Sequence, residues 1–293
     1  MSEPFSRVAL IGLGLVNSSL ARVLRENAPA TEIVGCARSQ TTLDTSMALG
    51  FVDRVTLDPA EAVEGCDLVV LGTPVGTFAS LAAQIGPHLA EGAILTDVGS
   101  VKGAVISALS PHVPAGVHLI PGHPVAGTEH SGPEAGYAEL FVGRWCILTP
   151  PPDADPAAVE RIAALWRMAG MTVELMDVKH HDAVLAITSH LPHLIAYNIV
   201  GTVTDLEEET RQEVFKYAAA GFRDFTRIAS SDPVMWRDIF LNNRGAVLEM
   251  LGRFTEDLSA LQRAVRRGDA DYLETLFTRT RAIRRGVIEA KQV

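Results

Sequence analysis

The chain is 293 residues long, about twice the length of an ordinary domain, with 47% hydrophobic and 20% charged residues; that balance fits one large or two ordinary globular domains and excludes disorder, collagen and coiled coil. Lys and Arg number 25 against 35 Asp and Glu, a net charge of −10, and an acidic surface of that size repels phosphate backbones and anionic lipids, which argues against nucleic-acid and membrane partners. Three cysteines, Cys36, Cys66 and Cys146, are odd in number and far apart, so they read as buried thiols in a reducing cytoplasm rather than a disulfide framework.

No run reaches the roughly 18 apolar residues of a membrane span. The apolar stretch at 8–16 is preceded only by Arg7, opposed by Glu3, so a core strand is expected there and not a secretion signal. A strand over 8–11 runs into Gly12 and Gly14, with Leu15 and Val16 opening the helix that follows. Two glycines at such a corner allow a tight turn and close backbone approach to a pyrophosphate resting on the helix N-terminus. The third glycine of that fingerprint falls at position 17, where the residue is Asn17; its side chain is expected to project outward or to widen the helix–strand packing.

Further strands are expected at 32–36, 67–73, 93–97, 117–121 and 144–149, separated by amphipathic stretches at 18–26, 77–85 and 101–109. Segments such as LVVLG and AILTD are apolar at consecutive positions, as strands buried on both faces of a parallel sheet must be. The alternation predicts an α/β fold, a Rossmann-type doubly wound sheet. The second strand ends in Cys36, Ala37, Arg38 and Ser39, with no carboxylate for the ribose 2′-hydroxyl of NAD. Arg38 suits either the 2′-phosphate of NADP or stacking on the adenine of NAD, and both readings stand.

Loops at the carboxyl ends of the later strands carry the reactive residues. GTPV places Thr73 and Pro74 where a nicotinamide would lie; TDVGSVKG carries Ser100 in its turn and Lys102 at a helix start; PGHPVAGTEHSGPEAG carries His123, Glu129, His130 and Ser131. Glycines flank His123 without serving a core, which makes it the candidate proton-transfer group.

The proline-rich segment at 149–156 marks a joint, and a helix at 157–169 and a strand at 172–176 are expected to complete the sheet. Beyond it the pattern is helical, predicting a dinucleotide-binding domain over 1–176 and an all-α domain over 177–293, of the kind that often forms a dimer interface. His180 and His181 adjoin Lys179 and Asp182 and read as a solvated helix start, and the acidic run at 205–209 as a solvated loop or helix end. His190 and His193 are three apart in SHLPH; a zinc site would need further ligands, and neither an H-E-x-x-H motif nor a nearby cysteine supplies them. Val247, Leu248, Leu251, Phe254, Leu258, Leu261 and Val265 form one helical stripe, Gly268 can stop that helix, and Asp269 can cap the next.

GLGL before a helix, DVGSVKG, GHPVAGTEHSG, SHLPH and AGFRDFTRIASSDPVMWRDI occur in that order from Val8 to beyond Asp238. Together they resemble the prephenate/arogenate (cyclohexadienyl) dehydrogenase family of tyrosine biosynthesis. The chain departs from the family at Asn17 and Ser18, where two glycines are usual, and in the alanines at 218–220, where glycines are common. The resemblance implies a homodimeric cytoplasmic enzyme that uses NAD or NADP to oxidise prephenate or arogenate with loss of the ring carboxylate as CO₂. It implies that His123 accepts the proton of the 4-hydroxyl, and that Ser100 orients the imidazole and touches nicotinamide and substrate. Arg227 would bind the side-chain carboxylate, with Arg223 as its competitor on the same helical face. His193 and Trp236 would contact the substrate, Glu129 would gate or bind it, and His190 would serve in packing. The competing readings are a β-hydroxyacid dehydrogenase or imine reductase of the same layout, and a non-catalytic dinucleotide sensor.

Overall fold

The computed structural model describes residues 5–204, 213 and 216–289; the acidic run at 205–209 lies outside the described residues. Six strands, β1 (Arg7–Ile11), β2 (Glu32–Cys36), β3 (Arg54–Thr56), β4 (Leu68–Leu71), β5 (Ile94–Asp97) and β6 (His118–Leu119), pair in parallel in the order β3-β2-β1-β4-β5-β6. Strand order reverses between β1 and β4, which opens the crevice where ligands of such sheets bind. Helices α1 (Leu15–Asn27), α2 (Gln40–Ala48), α3 (Pro59–Val63), α4 (Phe78–Ile85) and α5 (Gly103–Leu109) make the crossovers. Alternate residues of β1 and β4 enter two cores: Leu10 and Val70 pack with Leu20, Leu24 and Trp166, while Ile11 and Val69 pack with Phe78, Val105 and Trp236. This two-sided burial explains the consecutive apolar positions.

The sheet ends sooner than expected. Strands β8 (Trp145–Leu148) and β9 (Thr172–Leu175) do not extend it; they form a separate three-stranded sheet with β7 (Gly122–Pro124), a strand within the segment read as a loop. β7 runs antiparallel to β8, whose other edge pairs in parallel with β9. With both edges of β8 taken, none remains for β6. Helix α6 (Pro156–Met168) joins β8 to β9, started by Pro156 and by Asp155, whose side chain accepts from Ala157 N.

The chain forms two compact units, Met1–Arg244 and Gly245–Val293. The first includes α7 (Val178–Leu185), a π-helical segment Ala186–His190, α8 (Leu191–Thr204), α9 (Ala220–Thr226) and α10 (Pro233–Asn242). Pro192 has no N–H to offer the helix. Just before it the ladder shifts register, with Leu191 N donating to Ala186 O five residues back. The run Val178–Val203 is long and apolar enough to cross a membrane, but it carries His181, Asp182, His190 and His193, groups that are costly in hydrocarbon. The second unit is a helical pair, α11 (Arg244–Arg267) and α12 (Ala270–Glu289). Gly268, at φ +65°, stops α11, and Asp269 caps α12 through Tyr272 N at 3.1 Å. Leu248, Leu258, Val265, Tyr272, Phe277 and Ile283 leave apolar surface exposed on this pair.

Candidate active site

The glycine corner is built for a close backbone approach. Gly12 has φ +89°, and a Cβ there would sit 2.8 Å from the backbone of Gly72 and Thr73, so no other residue fits. Gly14 has open space in front of it. α1 begins immediately after it with no side-chain cap and no acidic residue in its first turn, leaving N–H groups free for an anion. Asn17 does not project outward. It is buried, and its Nδ2 donates to Gly12 O at 3.0 Å, Ile11 O at 3.3 Å and Val70 O at 3.4 Å. Its Oδ1 is buried without a partner among the described residues. Ser18 donates to Gly14 O at 2.7 Å, and Ser19 Oγ accepts from Tyr137 N at 3.1 Å, drawing the segment after the histidine loop onto α1. Arg38 is exposed at the end of β2, bonded to no carboxylate among the described residues, and Ser39 precedes α2. Thr73 and Pro74 follow β4, with Thr73 Oγ1 2.7 Å from Thr77 Oγ1. These residues fit a dinucleotide.

His123 lies at the centre of β7, 6% exposed. Its position is set by a fully buried ion pair. Lys102 Nζ donates to Asp97 Oδ2 and to Gly122 O, while Asp97 accepts from Gly99 N at 2.7 Å and Gly122 N at 3.2 Å. The pair therefore fastens β7 to the end of β5. Burial pushes the Asp97 carboxyl up and the Lys102 ammonium down, and each opposes the other's shift.

A line of hydrogen bonds runs from His123 into α7. His123 Nδ1 is 2.9 Å from His181 Nε2, and His181 Nδ1 is 2.8 Å from Asp182 Oδ1. His181 is fully buried, so reading it as a solvated helix start is corrected; its neighbour His180 is the exposed one. His181 thus makes an orienting contact with His123 at Nδ1. Asp182 also accepts from Lys102 N at 2.8 Å and Gly103 N at 2.9 Å. Burial alone would raise its carboxyl, but these bonds hold it below its ordinary value. Burial first, with the Lys102 ammonium and any positive charge on His181 or His190 acting in the same direction, holds His123 well below 6.5, so its imidazole is neutral at pH 7.

The π-helical segment brings in His190, fully buried, with Nδ1 3.1 Å from Asn243 Nδ2. Burial lowers its pKa to about 4. Its Nε2 is buried without a partner among the described residues, as is Trp236 Nε1. His193 donates through Nδ1 to Ser189 O at 2.9 Å and stacks on Trp236, ring centroids 3.5 Å apart. Burial first, and the Arg227 charge as well, hold its pKa low.

Arg227 sits in the turn Arg227–Ser230 after α9, where Tyr197 OH donates to Ser231 O at 2.8 Å, and Asp232 caps α10 through Met235 N at 2.7 Å. Arg227 Nη1 meets Glu129 Oε2 at 3.0 Å, joining the histidine loop to this turn across 98 residues of sequence. Arg223 instead faces Asp224 at 3.9 Å. The structure thus brings His123 together with His181 and His190, His193 with Trp236, and Arg227 with Glu129. Sequence reasoning missed Asp97 and Asp182 and misread His181. Signals existed: an aspartate closes the apolar run ILTD, and His181 stands four residues before the buried Leu185, on the same helical face.

The prephenate dehydrogenase nucleotide-binding domain matches residues 20–175, and the prephenate dehydrogenase dimerization domain matches residues 177–279. A cyclohexadienyl dehydrogenase of Zymomonas mobilis is 41% identical over 280 residues, 96% of this chain and 95% of that protein. The crystal structure of A. aeolicus prephenate dehydrogenase with hydroxyphenyl propionate and NAD+ is similar, with TM-score 0.89, 33% identity, and coverage of 96% of this chain and 98% of that one. Synechocystis arogenate dehydrogenase is similar too, with TM-score 0.79, 26% identity, and coverage of 96% and 99%.

Proposed function

The chain belongs to the prephenate dehydrogenase family, and from that premise we propose that His123 is the proton acceptor and Arg227 the carboxylate anchor of its reaction. The protein is an NAD(P)-dependent prephenate/arogenate dehydrogenase of tyrosine biosynthesis. The observation that carries the site assignment is a buried, neutral imidazole on β7, fastened to the carboxyl end of β5.

When bound, the dinucleotide supplies the acceptor for the hydride that leaves C4 of the substrate. The rest is the work of this chain. The backbone around Gly12, Gly14, Leu15 and Val16 would hold the pyrophosphate, and Thr73, Pro74 and Ser100 would keep the nicotinamide at the carboxyl ends of β4 and β5. His123 takes the 4-hydroxyl proton as the carbonyl forms. The electron pair freed by loss of the C1 carboxylate then moves through the ring onto the carbonyl oxygen, and the resulting phenolate takes up a proton to complete the aromatic product. General-base help of this kind is worth about 10²–10⁴ in rate. Arg227 offers a fork that matches the side-chain carboxylate in two parallel bonds, and Glu129 holds that fork until the substrate replaces it. His193 and Trp236, stacked together, form a flat wall for the ring.

The domain reading assigns 1–176 to dinucleotide binding and 177–293 to substrate binding and dimerisation, with the exposed apolar faces of α11 and α12 forming a homodimer. Three free, buried cysteines suit a reducing cytoplasm. Because no carboxylate closes β2 to repel a 2′-phosphate, NADP+ is accepted alongside NAD+, gripped by Arg38 and Ser39. Following NADH and NADPH formation with prephenate and with arogenate in parallel tests both readings. At least one pairing turns over, and Arg38→Ala weakens use of NADP+ far more than of NAD+. Equal losses would assign Arg38 to adenine stacking, and silence in all four arms would remove the function.

A further inference from the structure

The order of hydrogen bonds behind His123 determines where its proton sits. Asp182 already accepts the N–H groups of Lys102 and Gly103 and has no proton to give, so at the 2.8 Å contact His181 Nδ1 is the donor. A neutral imidazole carries one N–H. His181 Nε2 is therefore an acceptor, and across the 2.9 Å contact His123 Nδ1 donates to it. His123 Nε2 is left with a bare lone pair.

We propose that Asp182 and His181 are positioning residues that hold His123 in the Nδ1–H tautomer, so that Nε2 meets the substrate hydroxyl as an acceptor and never as a donor. This rests on the reading of His123 as the proton acceptor. In the step itself the substrate O–H bond breaks and the Nε2–H bond forms. The electron pair left on oxygen closes the carbonyl as the hydride departs to the dinucleotide; the proton passes from His123 to water, and the phenolate oxygen formed when the ring carboxylate leaves takes one back from water.

The groups facing His123 explain why such a device is needed. From the β5–α5 turn come Lys102, whose charge opposes an imidazolium, and Asp97, already committed to Lys102, Gly99 and Gly122. From β8 comes Cys146, a thiol held protonated by burial, and from the π-helical segment comes the neutral His190. Asp182 is the carboxylate that reaches His123, through one intervening neutral ring. Fixing the imidazole's tautomer and balancing its transient charge is the role a buried aspartate plays directly in hydrolytic triads; here a second histidine carries it.

The tautomer is read directly by ¹⁵N–¹H correlation spectra of histidine-labelled protein, with the His123 signals assigned by their loss in His123→Asn. The wild type should show a protonated Nδ1 and a bare Nε2 at His123. His181→Phe keeps a ring but no nitrogen and should erase that preference. His181→Gln retains one donor and one acceptor about as far apart as the ring nitrogens and should preserve it in part. The kcat for prephenate should fall in the order wild type, His181→Gln, His181→Phe, by about 10²-fold at the last, with KM little changed. The acidic limb of the kcat profile should move to lower pH in His181→Phe, because the imidazolium loses its counter-charge. A general packing defect would lower activity without moving that limb. A protonated Nε2 at His123 in the wild type, or a His181→Phe enzyme with wild-type kcat and pH profile, overturns the proposal. Should His181→Phe not fold, the wild-type spectrum still decides. The spectrum needs no substrate, so a protein that turns over neither substrate loses its proposed function while the relay is judged separately.

Discussion

The two ends of the candidate site are built on opposite terms. At the proton-accepting end, His123, His181 and His190 are between 0% and 6% exposed, and each ring nitrogen that bonds does so to a fixed neighbour. At the anion-binding end, the Arg227 side chain is 59% exposed and Glu129 32%, and their single contact is an open ion pair. Desolvation sets the chemistry of the first end by deciding which protonation state survives. The second end keeps its charge in water, where an ion pair is worth little and exchanges readily. One end must not adapt; the other must give up one carboxylate for another.

The contrast breaks most sharply at His123. His123→Asn should lower kcat by about 10²–10⁴ while dinucleotide binding, followed by fluorescence titration, is retained; unchanged turnover would dissolve the proton-accepting end altogether. Lys102→Met leaves Asp97 buried and unpaired and should destabilise the protein by about 3–5 kcal/mol, read as a lower urea midpoint. Adding Asp97→Asn should recover part of that loss, since it removes the stranded charge. Arg227→Ala tests the other end. With the substrate carboxylate in place the pair is desolvated, and its loss costs roughly 2–5 kcal/mol, or a KM raised about thirtyfold or more at about 1.4 kcal/mol per decade. A rise below about threefold would move the anchor elsewhere.

The dry end also carries a pH signature. Folding depresses His123, His181, His190 and His193 below their unfolded value, which is about 6.5. Between the native and unfolded pKa values the unfolded chain binds protons that the native chain refuses, so this stabilisation is complete above about pH 6.5 and is lost as the pH falls. Denaturation midpoints should therefore drop from pH 7 to pH 5, and a flat profile would mean that the histidines titrate normally. The smallest effect belongs to Glu129→Gln. An ion pair this open to solvent contributes little, so stability should hold and KM should change little, with a weaker dependence on salt.

How much was legible in the sequence follows the same division between local and distant causes. The glycine corner, the buried strands and the junction at Gly268 and Asp269 are written in neighbouring residues, and all were readable. β7 was not. Gly122, His123 and Pro124 lack strand character, and they become a strand by pairing with β8, more than twenty residues away in sequence. The same pairing diverted β8 and β9 from the main sheet. His181 looked solvated because Lys179, His180 and Asp182 surround it in sequence, although helical spacing places it with Leu185. Lys102 was read as a helix start, and its buried partner Asp97 became visible only once β5 and β7 were side by side. Arg227 was legible through the resemblance of its segment, whereas its contact with Glu129 is a product of the fold.

Asn17 and Gly72 show how a departure at one position constrains another. A Cβ at position 72 would collide with the Asn17 amide, which occupies that notch and bonds the ends of β1 and β4. The two positions are thus epistatic, and the order of change matters. A lineage that first replaces Asn17 with glycine opens room for alanine at 72, while one that begins at 72 must pass through a colliding intermediate, so substitutions at these two sites should be accepted in one historical order and purged in the other.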